Sequence, residues 1–571
     1  MLIYNYLTTF AVIAIILISL LHHKFRFKFI ENLNNAKWFK NTNDFCIKYY
    51  KYICIFVIFI GIFFSIYEID KLPIGLHVDE AGMAYDAMSL SNFSVDRYLN
   101  HLPVYLINFG GGQSAMYAYL ASIFISIFGY SITVIRLPAI LLKIAILICG
   151  FFILRKNNNK LYQILLLLLI SITPYFIMFA RFGLDCNLLL GFTTIGITFL
   201  IEAFNQEDKT KQKNKIILLI LSSTFFGLAL YNYALSYLIL PLMLALICIY
   251  LLYIGKLKFK ELIIFSIPVF ILALPLMLML LVNNGYIDQI DSFITIPKLL
   301  EYRGSEISPT NINENFYIIK SIFSFDKDPA LTYNSSKEFG TIYYCLIPLF
   351  ITGVIYSIKN ILLSIKNKYF CIDTIMCFYG ISVLICQLLI INPNINKANA
   401  IFLPILYFIV IGIVNIVKNL KLLIIPILLI LIINFSLFVN YYFNDYNKEN
   451  YNTTFFATAY LEALEYCKTI NDSNIVVYKN IAAQEYIYIN LLNNISPYNF
   501  NKEIINVPLE NEAIKTYLVK KEKDILNDIL DLSSTNNNIA YIVPTTSKVA
   551  QELFKSNQKF KTFDYITVFY N

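Results

Sequence analysis

The chain has 571 residues, 58% of them hydrophobic and only 14% charged, with a net charge of +8 and a mean hydropathy of +0.63. A soluble chain could not hide that much apolar surface, and disorder would need low hydropathy. A disulfide scaffold would need dense cysteine in a short chain, whereas the 10 cysteines here are scattered and sit mostly in apolar runs, as Cys54, Cys149, Cys248, Cys377 and Cys386 do. The positive charge lies in short loops between those runs, which is a topology signal and not a nucleic-acid-binding face, so no nucleic-acid partner is expected.

In chain order the apolar runs fall near 3–21, 52–69, 132–154, 161–180, 187–204, 216–233, 235–254, 262–282, 341–358, 370–391, 399–417 and 422–440. They number about twelve, each long enough to cross a bilayer as a helix. The connections sort by charge. Those at 22–51, 155–160, 209–215, 256–260, 359–368 and 418–421 are basic. Those at 70–131, 181–186, 283–340, 392–398 and after 440 are acidic, neutral or long. The two sets alternate. The positive-inside rule then predicts a multi-pass protein of the cell membrane with both termini outside. The segment 114–129 is apolar but short, and counting it as a span would break the alternation. It reads as a helix lying along the outer interface. The first run lacks a basic start and a small-residue cleavage site, so it reads as an uncleaved helix. No internal repeat is visible, which weakens an inverted-repeat transporter.

The expected organisation is an extra N-terminal helix with a basic loop (1–51), a membrane domain (52–440) with large outer loops at 70–131 and 283–340, and a polar extracytoplasmic tail (441–571). The tail alternates predicted helices (461–468, 482–492, 547–554) with predicted strands (Asn474–Tyr478, 539–543, 560–570), the pattern of a small α/β domain. The fold class is therefore an α-helical polytopic membrane protein with a small α/β C-terminal domain.

Two outer clusters could carry chemistry. Gly75-Leu76-His77-Val78-Asp79-Glu80-Ala81 follows the second run. Adjacent carboxylates at a membrane surface repel each other and lose hydration, so they are either an ordinary solvated turn or a base with its helper. A carboxylate partly removed from water is better suited to take a proton from a hydroxyl. His77 reads first as a structural hydrogen-bond partner. Arg181-Phe182-Gly183-Leu184-Asp185 forms a very short outer turn, in which Arg181 and Asp185 either pair with each other or leave the Arg fork to an anion. Arg136 opens the third run, where it either snorkels or binds. Lys143 lies seven residues deeper, where an ammonium needs a partner or a function. Asn108-Phe109-Gly110-Gly111-Gly112-Gln113 lacks the Lys-Ser/Thr of a phosphate loop and reads as a hinge. No metal-ligand motif occurs, and neither a metal nor a cofactor is expected.

The order of these features resembles the type C membrane glycosyltransferases, in particular the family 39-like enzymes that include protein O-mannosyltransferases and the aminoarabinose transferases. The residues that carry the likeness are His77-Val78-Asp79-Glu80 and Arg136-Leu137-Pro138. With them go Arg181 with Asp185, Gly227 to Tyr233 with Pro241, Tyr333-Asn334 with Phe339-Gly340, and Asn394-Ile395-Asn396-Lys397 before Pro404. The likeness spans roughly 52–440, and the family often carries Arg where Lys397 stands. It implies a polyprenyl-phosphate-linked sugar as donor, drawn from the membrane lipid phase. The acceptor would be a protein, a glycolipid or a surface polymer. By this resemblance Asp79 is the base and Glu80 orients it or binds sugar or acceptor. Arg181, Arg136 and Lys397 hold the phosphate. Asp185 orients Arg181 or contacts sugar, and His77 completes the donor site. A sugar phosphate brings its own leaving group, so direct displacement with inversion needs no strong acid. The competing readings are a flippase or transporter of lipid-linked glycans, and a polymerase or ligase of surface polysaccharide.

Overall fold

Each of the apolar runs forms helix. The computed structural model describes the chain except residues 1, 26–31, 33–35, 158, 206–211, 303–306, 324–334, 337, 419, 501–503, 509–513, 532–537 and 557. Among the described residues, nine helices are long and apolar enough to cross a membrane. The run at 161–180 is not straight: Leu161–Ile172 and Pro174–Arg181 meet at a bend of 64°. The remaining runs are the 17-residue helix Tyr50–Ile66 and the helix Gln212–Ala229, which starts on polar residues. Phe402–Val417 is buried along almost its whole length and forms the central post of the bundle. Phe259–Asn283 and Ile424–Asn444 instead leave Phe270, Ile271, Leu429 and Ile432 exposed, as a lipid-facing surface requires.

The bend at Thr173 has a local cause. Pro174 has no N–H, so the carbonyl of Ile170 loses its helical donor. Lys143 replaces it. Its ammonium donates to Ile170 O at 2.5 Å and to Phe176 O at 2.6 Å, and lies 5.1 Å from the Phe176 ring centroid. The buried lysine of the third run is thus a structural strap across a proline break.

The first large loop is built differently from its sequence-based expectation. Residues 77–93 are not a turn but a buried helix, Val78–Phe93, with Asp79 and Glu80 in its first turn, where the helix dipole favours acids. Residues 108–113 are not a hinge but the turn of a β-hairpin, Tyr105–Asn108 with Gly111–Ser114. Phe109 and Gly110 both take positive φ (49° and 90°), the conformation a two-residue hairpin turn demands. The apolar segment that follows forms the helix Met116–Phe128.

The tail forms a six-stranded mixed sheet. Asn474–Tyr478 lies at its centre, parallel to both Ile514–Lys520 and Ile539–Pro544. The segment expected as one final strand is a hairpin, Lys559–Phe563 with Ile566–Tyr570, folded back at Asp564 (φ 49°). Strands Ile504–Pro508 and Ile514–Lys520 and the helix Glu522–Asp531 were not expected. Ile504–Pro508 alternates exposed and buried, but it is an edge strand framed by polar, asparagine- and lysine-rich sequence, which hides its period. Tail and bundle share one apolar core: Leu76, Ala81, Ala84, Tyr85 and Met88 pack with Tyr460, Leu464, Ile487 and Ile489.

Candidate active site

The two loop carboxylates diverge because consecutive residues on a helix point about 100° apart. Glu80 turns inward and is fully buried. Its Oε1 accepts from Arg136 Nε at 2.9 Å and from the Gly183 N–H at 2.6 Å, and its Oε2 accepts from Arg136 Nη2 at 3.2 Å. Arg136 also donates to the carbonyls of Ile69, Pro73 and Gly75. Glu80 and Arg136 are therefore neither a helper aimed at substrate nor an open phosphate fork. They form a buried ion pair that gathers the segment leading to Asp79.

Arg181 behaves in the same way. Nε donates to Leu72 O (3.1 Å), Nη1 to Phe64 O (2.8 Å), and Nη2 to Tyr67 O (2.7 Å) and Glu68 O (2.9 Å). These are carbonyls at and just beyond the C-terminus of Tyr50–Ile66, where orphan acceptors and the negative helix end attract a cation. Of the two alternatives for Arg181 and Asp185, the pairing with each other is not formed. The chain between them is extended at Phe182 and Leu184, so the i,i+4 relation of a continuous helix does not apply. The phosphate assignment expected for Arg181 meets a buried guanidinium that already donates to four carbonyls.

Asp79 turns the other way, and its side chain is 39% exposed. Asn108 Nδ2 approaches its Oδ1 at 3.5 Å. His77, the N-cap of the helix, accepts the Asp79 N–H on Nδ1 at 3.3 Å and stacks on Phe455 at 4.6 Å. Burial pulls the His77 imidazole below its ordinary pKa against the opposing effect of Asp79 and Glu80, so it stands neutral, consistent with Nδ1 acting as acceptor. The Asp79 carboxylate acts electrostatically on Asp185, and both act on Tyr233. Asp185 itself accepts from Ser114 N (3.3 Å) and Cys186 N (2.8 Å).

Asp185 and Tyr233 line a cavity of about 450 Å³. Tyr105, Tyr237, Tyr302 and Glu301 add polar groups, Leu238, Met279, Leu280, Ile307 and Ile390 supply apolar lining, and Lys397 is the cation among the described lining residues. Lys397 donates to Ile391 O at 2.9 Å from within its own loop. Sequence reasoning missed Asn108, Glu301 and the tyrosine wall. Glu301 carries no motif, and its backbone N–H joins Gly110 O at 2.8 Å only because the second loop folds over the hairpin. Tyr333-Asn334 lies outside the described residues. Among the described residues no group of three His, Cys, Asp or Glu side chains converges in a metal-binding arrangement.

The tail holds the loop that carries Asp79. Leu76 N–H donates to Phe456 O (2.9 Å), Tyr488 Oη to Leu76 O (3.2 Å), Tyr85 Oη to Ile495 O (2.8 Å) and Thr458 Oγ1 to Ile74 O (3.1 Å). Gly75 allows this approach: it takes φ +84°, and a Cβ there would meet Phe456 O at 2.3 Å.

This combination of bundle, loop helix and tail is the fold of the type C glycosyltransferases, and the chain is a multi-pass membrane protein. It is similar to ArnT from Cupriavidus metallidurans in the apo state, with 9% identity over 92% of this chain and 98% of that one and a TM-score of 0.54. It is similar to the same protein bound to undecaprenyl phosphate, with 10% identity over 91% and 97% and a TM-score of 0.51. The oligosaccharyltransferase of Archaeoglobus fulgidus in the apo form also aligns, with 12% identity over 78% of this chain and 64% of that one and a TM-score of 0.44. No protein-family model and no curated protein matches the chain.

Proposed function

We propose that the protein is a glycosyltransferase of the outer membrane face, moving a sugar from a polyprenyl-phosphate donor to the hydroxyl of a cell-surface acceptor. The observation that carries the reading is the cavity that joins Asp185, a tyrosine wall and Lys397 to an apolar slot, with the partly exposed carboxylate of Asp79 acting electrostatically on Asp185. The bundle 52–440 receives the donor, and the tail 441–571 lies outside over the mouth. The lipid chain of the donor enters against Leu238, Met279 and Leu280, and Lys397 neutralises the phosphate. Asp185 and the tyrosines bind the sugar hydroxyls. Asp79 takes the acceptor proton as the acceptor oxygen attacks the anomeric carbon. The bond from that carbon to the phosphate oxygen breaks, the electron pair leaves with polyprenyl phosphate, and the anomeric centre inverts. The undecaprenyl phosphate bound by ArnT supports this class of carrier. A transporter reading predicts charged groups along a central path. Here Arg136, Arg181 and Lys143 are instead occupied by structural contacts.

The test is incubation of the purified protein with labelled polyprenyl-phosphate sugars and acceptor-containing membranes. Release of polyprenyl phosphate is expected from the native chain and not from Asp79→Asn. Equal release from both refutes the base assignment, and no release from either refutes the activity.

A further inference from the structure

We propose a second binding site at the opposite, basic end of the bundle, for one aminophospholipid: a lipid whose headgroup joins a phosphate to a primary ammonium. The site is independent of the sugar-transfer reading. The helix Asp185–Phe204 begins in the candidate active site and reaches Glu202 about 25 Å further along, at 1.5 Å per residue. There a crevice of about 470 Å³ opens between this helix, Ile132–Ile153 and Gln212–Ala229, a volume within the range of small-molecule sites. Its walls are apolar, with Phe152, Ile195 and Phe199 among them. Ile148 and Ile217 at its lips are each 48% exposed on a surface that faces lipid.

The head of the crevice is charged. Arg155 Nη2 donates to Glu202 Oε2 at 2.6 Å. The other carboxylate oxygen, Glu202 Oε1, is buried and accepts no hydrogen bond from the described residues, and the residue is only 7% exposed. A buried charged oxygen without a donor is costly, and a ligand that donates to it relieves the cost. Arg155 lies over Phe152 at 5.2 Å and keeps 43% of its side chain exposed, so its fork is open on the side away from Glu202. A phosphate fits that open side. A primary ammonium linked to the phosphate reaches Glu202 Oε1 and donates to it, while an acyl chain fills the apolar crevice. A trimethylammonium headgroup has no N–H to donate, and a glycerol headgroup has no positive charge. The site therefore discriminates by headgroup, with the phosphate common to all three.

The experiment is native mass spectrometry on the delipidated full chain, titrated separately with dioleoyl phosphatidylethanolamine, phosphatidylcholine and phosphatidylglycerol. Thermal unfolding is followed in parallel. One phosphatidylethanolamine is expected to stay bound about tenfold more tightly than either other lipid, at the 1.4 kcal/mol per tenfold scale, and to raise the melting temperature. Glu202→Gln is expected to abolish the preference. Ile217→Trp, at a lipid-facing position, fills the crevice and removes retention while the chain stays folded; if Glu202→Gln does not fold, this variant decides alone. Equal retention of the three lipids by the native chain overturns the proposal, as does a preference that survives in Ile217→Trp.

Discussion

Two neighbouring regions at one end of the bundle hold buried charge in opposite ways. In the seam beneath the first loop, Glu80 accepts from Arg136 and the Gly183 N–H, and Arg136 and Arg181 donate to backbone carbonyls of the protein itself. In the cavity beside it, Asp185, Glu301 and Lys397 line open space together with tyrosines and apolar side chains, and Asp79 is itself partly exposed. The same residue types serve both. The difference is whether the side chain, besides its partners in the fold, also faces open space. A charge that the fold satisfies is a strut, and a charge left facing a cavity is available to a ligand.

The largest effects are expected from changing Asp79 and then the buried partner of Glu80. Asp79→Asn is expected to lower the single-turnover release of polyprenyl phosphate by about 10²–10⁴-fold, the usual contribution of a positioned base, with an unchanged melting temperature. A melting temperature that falls with activity would make Asp79 another strut. Arg136→Met is expected to do the reverse: about 3–5 kcal/mol of stability lost because Glu80 is left buried and alone. The double variant Arg136→Met with Glu80→Gln should recover part of it, and thermal unfolding in detergent measures both. Lys397→Ala is expected to weaken donor binding by about ten- to hundredfold, the worth of a charge-assisted hydrogen bond, read as a rise in KM for the lipid donor with kcat nearly kept. A fall in kcat alone would move Lys397 out of the ground-state phosphate site.

The smallest effect probes a third arrangement. Asp86 and Arg97 form a fully buried pair at 2.6 Å, but among the described residues Asp96 beside them has no cation of its own. Burial, with the Asp86 charge adding, pushes Asp96 up to about 6 against hydrogen bonds from Asn100 and Tyr98. Between pH 4 and 6 the folded chain then holds a proton that the unfolded chain has released. This group's contribution to stability falls as pH rises through that window and is flat above it. Asp96→Asn should remove about 2 kcal/mol of that slope, seen as a smaller difference in unfolding free energy between pH 4 and 7 than in the native chain. An identical slope in both would show that Asp96 keeps its ordinary acidity.

Much of the membrane fold was legible because hydropathy is a local property: a run of apolar residues must become a helix in lipid wherever it sits. The site was legible only in part. Asp79 and Asp185 stood out as carboxylates at the ends of spans, and the ordered motifs gave the resemblance. The roles of Glu80, Arg136 and Arg181 were not legible, because nothing local says that the carbonyls of 64–75 converge on two guanidinium groups. The helix Val78–Phe93 was missed for a related reason. It is buried on all sides between bundle and tail, so it shows no amphipathic period. The hairpin at 105–114 was hidden behind its glycines.

The sequence alone determined the apolar helices, the polar tail with its central strands, and the candidate carboxylates, since each depends on residue type and short-range period. Only the tertiary structure decided which charges are struts and which face the cavity, that the tail grips the loop of Asp79, and that Lys143 mends a proline break. Those outcomes depend on partners 27 to 410 residues away along the chain, and contact between such distant segments is set by packing, which no local pattern encodes.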